Sequence, residues 1–222
     1  MPRIAENEGH LVSYWIEPVA NKDWVRENLD QFQPQRIGKT LWICPSWHQP
    51  PDPMAINVIL DPGLAFGTGT HPTTQLCLEW LEEHIIGGET VIDYGCGSGI
   101  LSVAALMLGA SFVTAVDHDQ QALEACKANF MRNHLPDKKI ETIFPEQVGL
   151  YQVDILIANI LAQPLMNLVD RFTNLIKPYG TVILSGILPE QMDALHSVYE
   201  KYFHLSRPII KNGWVRVDGR KK

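Results

Sequence analysis

The chain predicts a doubly wound α/β fold with a mostly parallel sheet, and three features carry that expectation. From about residue 74 onward, short apolar runs alternate with helical patterns of roughly 10–14 residues, the order expected of strands and their crossover helices. Several of the runs, 153–157 and 182–184 among them, are almost continuously apolar, as strands covered on both faces are. The run Val91-Ile92-Asp93 leads into Tyr94-Gly95-Cys96-Gly97-Ser98-Gly99-Ile100, which sets alternating glycines at a strand-to-helix turn. Glycine has no Cβ, so such a turn folds sharply and lies close against a ligand. In open α/β sheets, nucleoside-containing cofactors sit at that point.

The N-terminal part has a different texture. Six of the 15 prolines (34, 45, 50, 51, 53 and 62) fall between residues 34 and 62, which breaks this part into short pieces. Residues 22–32 suit a short helix capped by Asn21 or Asp23, and 41–44 and 55–60 read as short strands. A helix is expected over 74–84, with Leu76, Leu78, Trp80 and Leu81 apolar. The strand at 90–93 is followed by a helix at 101–108, a strand at 112–117 and a helix at 120–132. A strand at 154–158, a helix at 164–175, a strand at 181–185 and a helix at 189–202 continue the alternation. Segments 203–208 and 209–217 read as strands, the second containing Lys211-Asn212-Gly213; Asn-Gly is a strong hairpin signal, so an antiparallel hairpin closes the chain. Gly219-Arg220-Lys221-Lys222 reads as a solvated tail. Residues 1–52 are taken as a region preceding the main domain at 53–222.

Composition narrows the function classes. An apolar fraction of 45% suits a globular chain with a real core. The net charge of −7 argues against generic nucleic-acid binding, which needs a basic face. The first ten residues are polar, and no apolar run is long enough to span a bilayer. Cys44, Cys77, Cys96 and Cys126 have neither CxxC pairing nor metal-ligand spacing, so no metal site is expected and a reduced, cytoplasmic setting is.

The glycine spacing selects among cofactors. A dinucleotide fingerprint would place its third glycine at position 100, which is Ile100. Gly95, Gly97 and Gly99 preceded by Asp93 instead resemble the first motif of class I S-adenosylmethionine-dependent methyltransferases. On this reading the three glycines let the backbone pass beneath the methionine and ribose parts of the cofactor. Asp93 accepts a hydrogen bond from the loop or from the cofactor's ammonium group. Asp117 follows Gly99 by 18 residues at the tip of the next strand, where an acid can accept both ribose hydroxyls. A nicotinamide dehydrogenase uses the same acid and stands as a rival. Asp119 is left to cap the helix beginning at Gln120.

Asn159 ends the strand at 154–158, whose carboxyl end should face the cofactor's methyl group. Its carboxamide oxygen can accept N–H bonds from a target amine and aim the nitrogen lone pair. Many amino-methyltransferases carry Asn/Asp-Pro-Pro-Tyr here; this chain has Asn159-Ile160-Leu161-Ala162, so nucleobase and glutamine methyltransferases fit less well. Upstream, Asp61-Pro62-Gly63-Leu64-Ala65-Phe66-Gly67-Thr68-Gly69-Thr70-His71-Pro72-Thr73-Thr74 reads as a loop bordering the same cleft. Phe66 would cover cofactor or substrate, with Gly63, Gly67 and Gly69 permitting closure. Thr74 starts the next helix, and His71 is a candidate base.

This last run, with Val91-Ile92-Asp93-Tyr94-Gly95-Cys96-Gly97-Ser98-Gly99-Ile100-Leu101 and Ala158-Asn159-Ile160-Leu161, resembles the PrmA family of ribosomal protein L-eleven methyltransferases. The similarity extends from Lys22-Asp23-Trp24 through 41–47 to Trp214. It implies a Rossmann-like, seven-stranded sheet and methyl transfer from S-adenosylmethionine to lysine ε-amines and the N-terminal α-amine of a large-subunit ribosomal protein. It also implies cofactor contacts at Thr74, Gly95, Asp117 and Asn159. Members usually carry an N-terminal substrate-recognition domain, and the residues before Lys22 are too few to form one, so 1–52 is expected to be its remnant and linker.

Overall fold

The computed structural model describes residues 5–7, 10–12, 32–61 and 69–222. The chain divides into two compact units, Met1–Gln31 and Phe32–Lys222. In the first, β1 (Ala5–Asn7) pairs antiparallel with β2 (His10–Val12). The helix expected over 22–32 lies, but for Phe32, outside the described residues.

The second unit opens with a small sheet of β3 (Gln35–Ile37), β4 (Leu41–Cys44) and β5 (Ile56–Ile59). β4 runs antiparallel to β3 and parallel to β5. Then come α1 (Pro72–His84), β6 (Thr90–Tyr94), α2 (Ile100–Leu108), β7 (Phe112–Val116), α3 (Gln120–Arg132) and β8 (Ile140–Ile143). The remainder is β9 (Val153–Asn159), α4 (Ala162–Asn167), α5 (Val169–Leu175), β10 (Ile176–Ile187), α6 (Met192–Tyr199), β11 (Phe203–Leu205), β12 (Ile209–Lys211) and β13 (Trp214–Lys221).

The main sheet has the order β11-β13-β10-β9-β6-β7-β8, with β12 paired to β13. β8, β7, β6, β9 and β10 are parallel, and β13 is antiparallel to its neighbours. β6 lies between β7 and β9, so the chain reverses its direction across the sheet there, and ligands bind beyond the strand ends at such a reversal. Val91, Ile155, Ile157 and Ile183 pack into one core with Leu78 and Leu81 of α1, Val103 of α2 and Phe130 of α3. Their neighbours Ile92, Leu156, Ala158 and Leu184 pack on the other face with Leu165, Phe172 and Leu195 of α4, α5 and α6. Side chains alternate between faces and both faces are covered, which is why these strands read as apolar throughout.

The small sheet is tied to α1 by a carboxylate. Backbone amides of Lys39, Thr40 and Leu41 and the Thr40 hydroxyl all donate to Glu82. Burial alone would raise the Glu82 pKa; those hydrogen bonds outweigh it and hold it below the usual carboxylate value.

Several boundaries differ from expectation. α1 begins at Pro72, two residues early, because His71 caps it by accepting from the Thr73 amide and proline suits the first helical position. The helix expected over 164–175 breaks at Leu168 into α4 and α5, and that over 189–202 contracts to α6. β3 and β8 were not anticipated. β10 is longer than 181–185, and its pairing with β13 slips between Ser185 and Ile187 around Gly186 (φ +86°). Asn212 and Gly213 do form a two-residue turn, both at positive φ, joining β12 to β13. The expected tail is strand instead: Gly219 pairs with Leu205, and Lys221 Nζ donates to the carbonyls of Thr173 (2.6 Å) and Ile176 (2.7 Å).

Candidate active site

Beyond β6 the chain turns through Gly95, Gly97 and Gly99 at φ +81°, +53° and +77°, the left-handed region that glycine enters without strain. The Gly95 and Cys96 amides donate to Val116 O (2.7 and 3.0 Å), and the Gly97 amide donates to Asp117 Oδ2 (2.9 Å). A Cβ at Gly95 would strike the Ile160 side chain, and one at Gly99 would strike Cys126. Space as well as backbone conformation therefore demands glycine at both positions.

Asp117, nearly buried, also accepts from the Asp119 amide through Oδ1 (3.0 Å). Asp119 caps α3 through the Gln121 amide (2.9 Å), as the sequence led one to expect. Asp93 lies at the end of β6 and is 1% exposed. Its Oδ2 accepts from the Ser102 amide (3.1 Å) and hydroxyl (2.6 Å), so it binds the first turn of α2 rather than the glycine loop. Its Oδ1 is buried without a hydrogen-bond partner. Burial, reinforced by the Asp117 charge, overcomes the Ser102 hydrogen bonds and lifts the Asp93 pKa from 3.8 to about 7.

A cavity of about 550 Å³ opens at these strand ends. His71, Gly95, Asp117 and Asn159 line it; Thr74, Asp93, Gly97 and Gly99 do not. Asn159 closes β9 and donates through Nδ2 to Oγ1 of the buried Thr74 (3.3 Å), which leaves Oδ1 as an acceptor. His71 bonds to Thr73 Oγ1 through Nδ1 (2.7 Å) and meets the Trp214 ring edge-on at 4.9 Å between centroids. Phe66 and the rest of 62–68 lie outside the described residues.

Sequence reasoning missed part of the wall. Leu161, Pro164 and Leu168 form an apolar side, and their spacing of three and four was the available signal. Tyr94, Trp214 and Gly186 also line the cavity. A Cβ on Gly186 would meet the Ile160 backbone, with the carbonyl carbon at 2.8 Å, so glycine there lets β10 and the turn after β9 approach. The four cysteines are buried and unpaired, and Cys96, hydrogen-bonded to Cys126 and buried, has its thiol pKa pushed up, which makes it a poor nucleophile. Among the described residues no group of three potential ligands could hold a metal ion, and no helix is long and apolar enough to cross a membrane.

The model of the family described as Ribosomal protein L11 methyltransferase (PrmA) matches residues 3–222. A ribosomal protein L11 methyltransferase of Pseudomonas paraeruginosa is 48% identical over 214 residues, 96% of this chain and 73% of that protein. One from Tolumonas auensis is 50% identical over 215 residues with the same coverage. The crystal structure of a ribosomal protein L11 methylase from Lactobacillus delbrueckii subsp. bulgaricus superposes with a TM-score of 0.77 at 31% identity, over 86% of this chain and all of that one. A T. thermophilus 16S rRNA methyltransferase solved with AdoMet and guanosine shares the fold, with a TM-score of 0.59 at 20% identity over 73% of this chain and 46% of that one. With its alternating glycines, the reversal at β6 and this likeness along nearly its whole length, the chain belongs to the ribosomal protein L11 methyltransferase (PrmA) family and is an S-adenosylmethionine-dependent methyltransferase.

Proposed function

We infer that this protein methylates lysine ε-amines and the N-terminal α-amine of ribosomal protein L11, acting in the cytoplasm and without binding nucleic acid directly. The methyltransferase domain is assigned to 53–222, together with the rest of the compact unit Phe32–Lys222 because β4 pairs with β5, and the residues before it to the preceding region. The observation that carries the reading is identity of 48–50% to L11 methyltransferases over 96% of the chain, with the cavity at the strand reversal intact. Incubating the protein with L11 and methyl-labelled cofactor tests it: label in L11 is expected. Cofactor binding with no label in L11 would refute the substrate.

The residues fit the cofactor. Oδ1 of Asp93, buried and unpartnered, suits an ammonium donor directly or through water; Gly95 offers backbone without a side chain; Asp117 presents a carboxylate to the cavity beside the loop. Phe66 is assigned to cover the cofactor or substrate, and Thr74 to hold Asn159. Bound there, S-adenosylmethionine supplies a methyl group on a positively charged sulfur. A lysine amine, with a pKa of about 10.4 in water, must lose its proton before it can attack, and the apolar wall of Leu161, Pro164 and Leu168 disfavours the ammonium form. Asn159 Oδ1, left free to accept, would take an N–H of the target amine and orient its nitrogen within the cavity. His71 stands on the cavity wall as the candidate base, and Gly97 and Gly99 shape the loop from behind.

Two expectations follow from these assignments. Asn159→Ala should lower kcat by about 100-fold at saturating cofactor, since misorientation on the order of an ångström costs that much. Retention of full turnover would refute the orienting role. The second concerns Asp93. Between pH 3.8 and about 7 the folded protein holds a proton that the unfolded chain has released, so this group's contribution to stability falls as pH rises through that window. An ammonium beside Oδ1 favours the carboxylate, so cofactor affinity should tighten by up to about tenfold per pH unit below 7 and level off above it. Calorimetric titrations across pH should show this slope in the wild type and lose it in Asp93→Asn; equal slopes would remove Asp93 from the ammonium site.

A further inference from the structure

The Asp-Pro-Gly run begins at Asp61, a residue the proposed chemistry does not use. Its carboxylate is nonetheless heavily engaged: Ser46 donates to it through the backbone amide (2.7 Å) and hydroxyl (2.9 Å), and Arg132 Nη2 lies 3.3 Å from Oδ2. Arg132, in the last turn of α3, also donates through Nη1 to Asn129 Oδ1. Asn129 in turn donates through Nδ2 to the carbonyl of Ser98, at 2.8 Å. A continuous polar chain thus runs from Ser46 through Asp61, Arg132 and Asn129 to the middle of the glycine loop. Asn133 fastens the same end of α3 to β5, accepting from the Ile59 amide (2.7 Å) and donating to its carbonyl (2.8 Å).

Ser98 lies between two glycines in the left-handed region, which bring no side chain of their own to fix the backbone. Hydrogen bonds must hold the loop, and it is anchored on both sides of this point. On one side the Gly97 amide donates to Asp117, which lines the cavity. On the other, Ser98 accepts from Asn129, which is 5% exposed and does not line it. A buried carboxamide with both ends engaged has no aqueous alternative and therefore holds one geometry.

We propose that Asn129 and Arg132 are positioning residues that tie the glycine loop to Asp61 and thereby set cofactor affinity without touching the cofactor. This rests on the assignment of the loop to S-adenosylmethionine.

Calorimetric binding of S-adenosylmethionine and kcat at saturating cofactor are measured for N129A, R132Q, D61N and the N129A/D61N double variant. N129A should weaken binding about tenfold, as for loss of one buried hydrogen bond, while kcat at saturation stays within about twofold. R132Q and D61N should each weaken it by about threefold or more, and because Arg132 is 34% exposed R132Q probes the same chain if N129A fails to fold. In the double variant the loss should fall short of the product of the single losses by at least about threefold, since the two residues act through one chain. Unchanged affinity in N129A and R132Q, strictly multiplicative losses, or a fall in kcat equal to the fall in binding would each overturn the proposal. D117A separates the two levels: if it leaves binding intact the cofactor assignment itself fails, whereas failure at Asn129 with D117A impaired defeats only the relay.

Discussion

Replacing Asp117 by alanine is expected to weaken S-adenosylmethionine binding by at least about 100-fold. The assigned role is to accept two ribose hydroxyls, and hydrogen bonds to a charged acceptor contribute roughly 1.5–3 kcal/mol each. The same carboxylate accepts from the Gly97 and Asp119 amides, so its removal also loosens the glycine loop and the entry to α3. Asp117→Asn should be intermediate, since the carboxamide keeps one acceptor oxygen and lacks the charge. Calorimetric titration gives the affinity, and a thermal melt of the unliganded protein isolates the structural share. An alanine variant that binds the cofactor within about threefold of wild type would take Asp117 out of the ribose site.

Gly99→Ala should damage the fold strongly for the addition of a single methyl group. The residue sits at φ +77°, where an L side chain costs about 1–2 kcal/mol. Its new Cβ would meet the Cys126 Cβ at 3.0 Å and Cα at 3.1 Å as well as the sulfur, so the axis of α3 itself must move. Overpacking of that kind costs about 1–3 kcal/mol more. The sum, roughly 2–5 kcal/mol, corresponds to a Tm lower by roughly 5–15 °C for a domain of this size. Adding Cys126→Ala should restore only part of the loss, because it removes the sulfur and leaves the backbone and Cβ in place. Full recovery, or no loss to recover, would show that α3 can shift freely against the loop.

Much of this was legible in the chain. α3 begins and ends where its pattern and the Asp119 cap said it would, and the Asn212-Gly213 turn is where a two-residue hairpin signal placed it. These are local rules, in which a residue's conformation is dictated by its immediate neighbours. The break at Leu168 is different: the apolar spacing runs on through it, yet α4 packs on α6 and β10 while α5 packs on β9 and β10. The last residues carry charges typical of a solvated end, yet β10 and β11 recruit them as a strand, and Lys221 reaches carbonyls of residues more than forty positions away.

The site divides along the same line. By itself the sequence determined the fold class and the methyl donor, because Asp93, the glycines and Asp117 belong to one strand-turn-helix-strand unit whose spacing is its own signature. Tertiary structure alone decided which distant residues meet around that loop and cavity. His71 meets Trp214, Gly186 admits the backbone of Ile160, and Asn129 reaches back to Asp61 through Arg132. Contacts between such distant positions leave no periodicity in a single chain. They exist only because the sheet brings its strand ends to one edge, where close packing and the need to satisfy every buried polar group choose the partners.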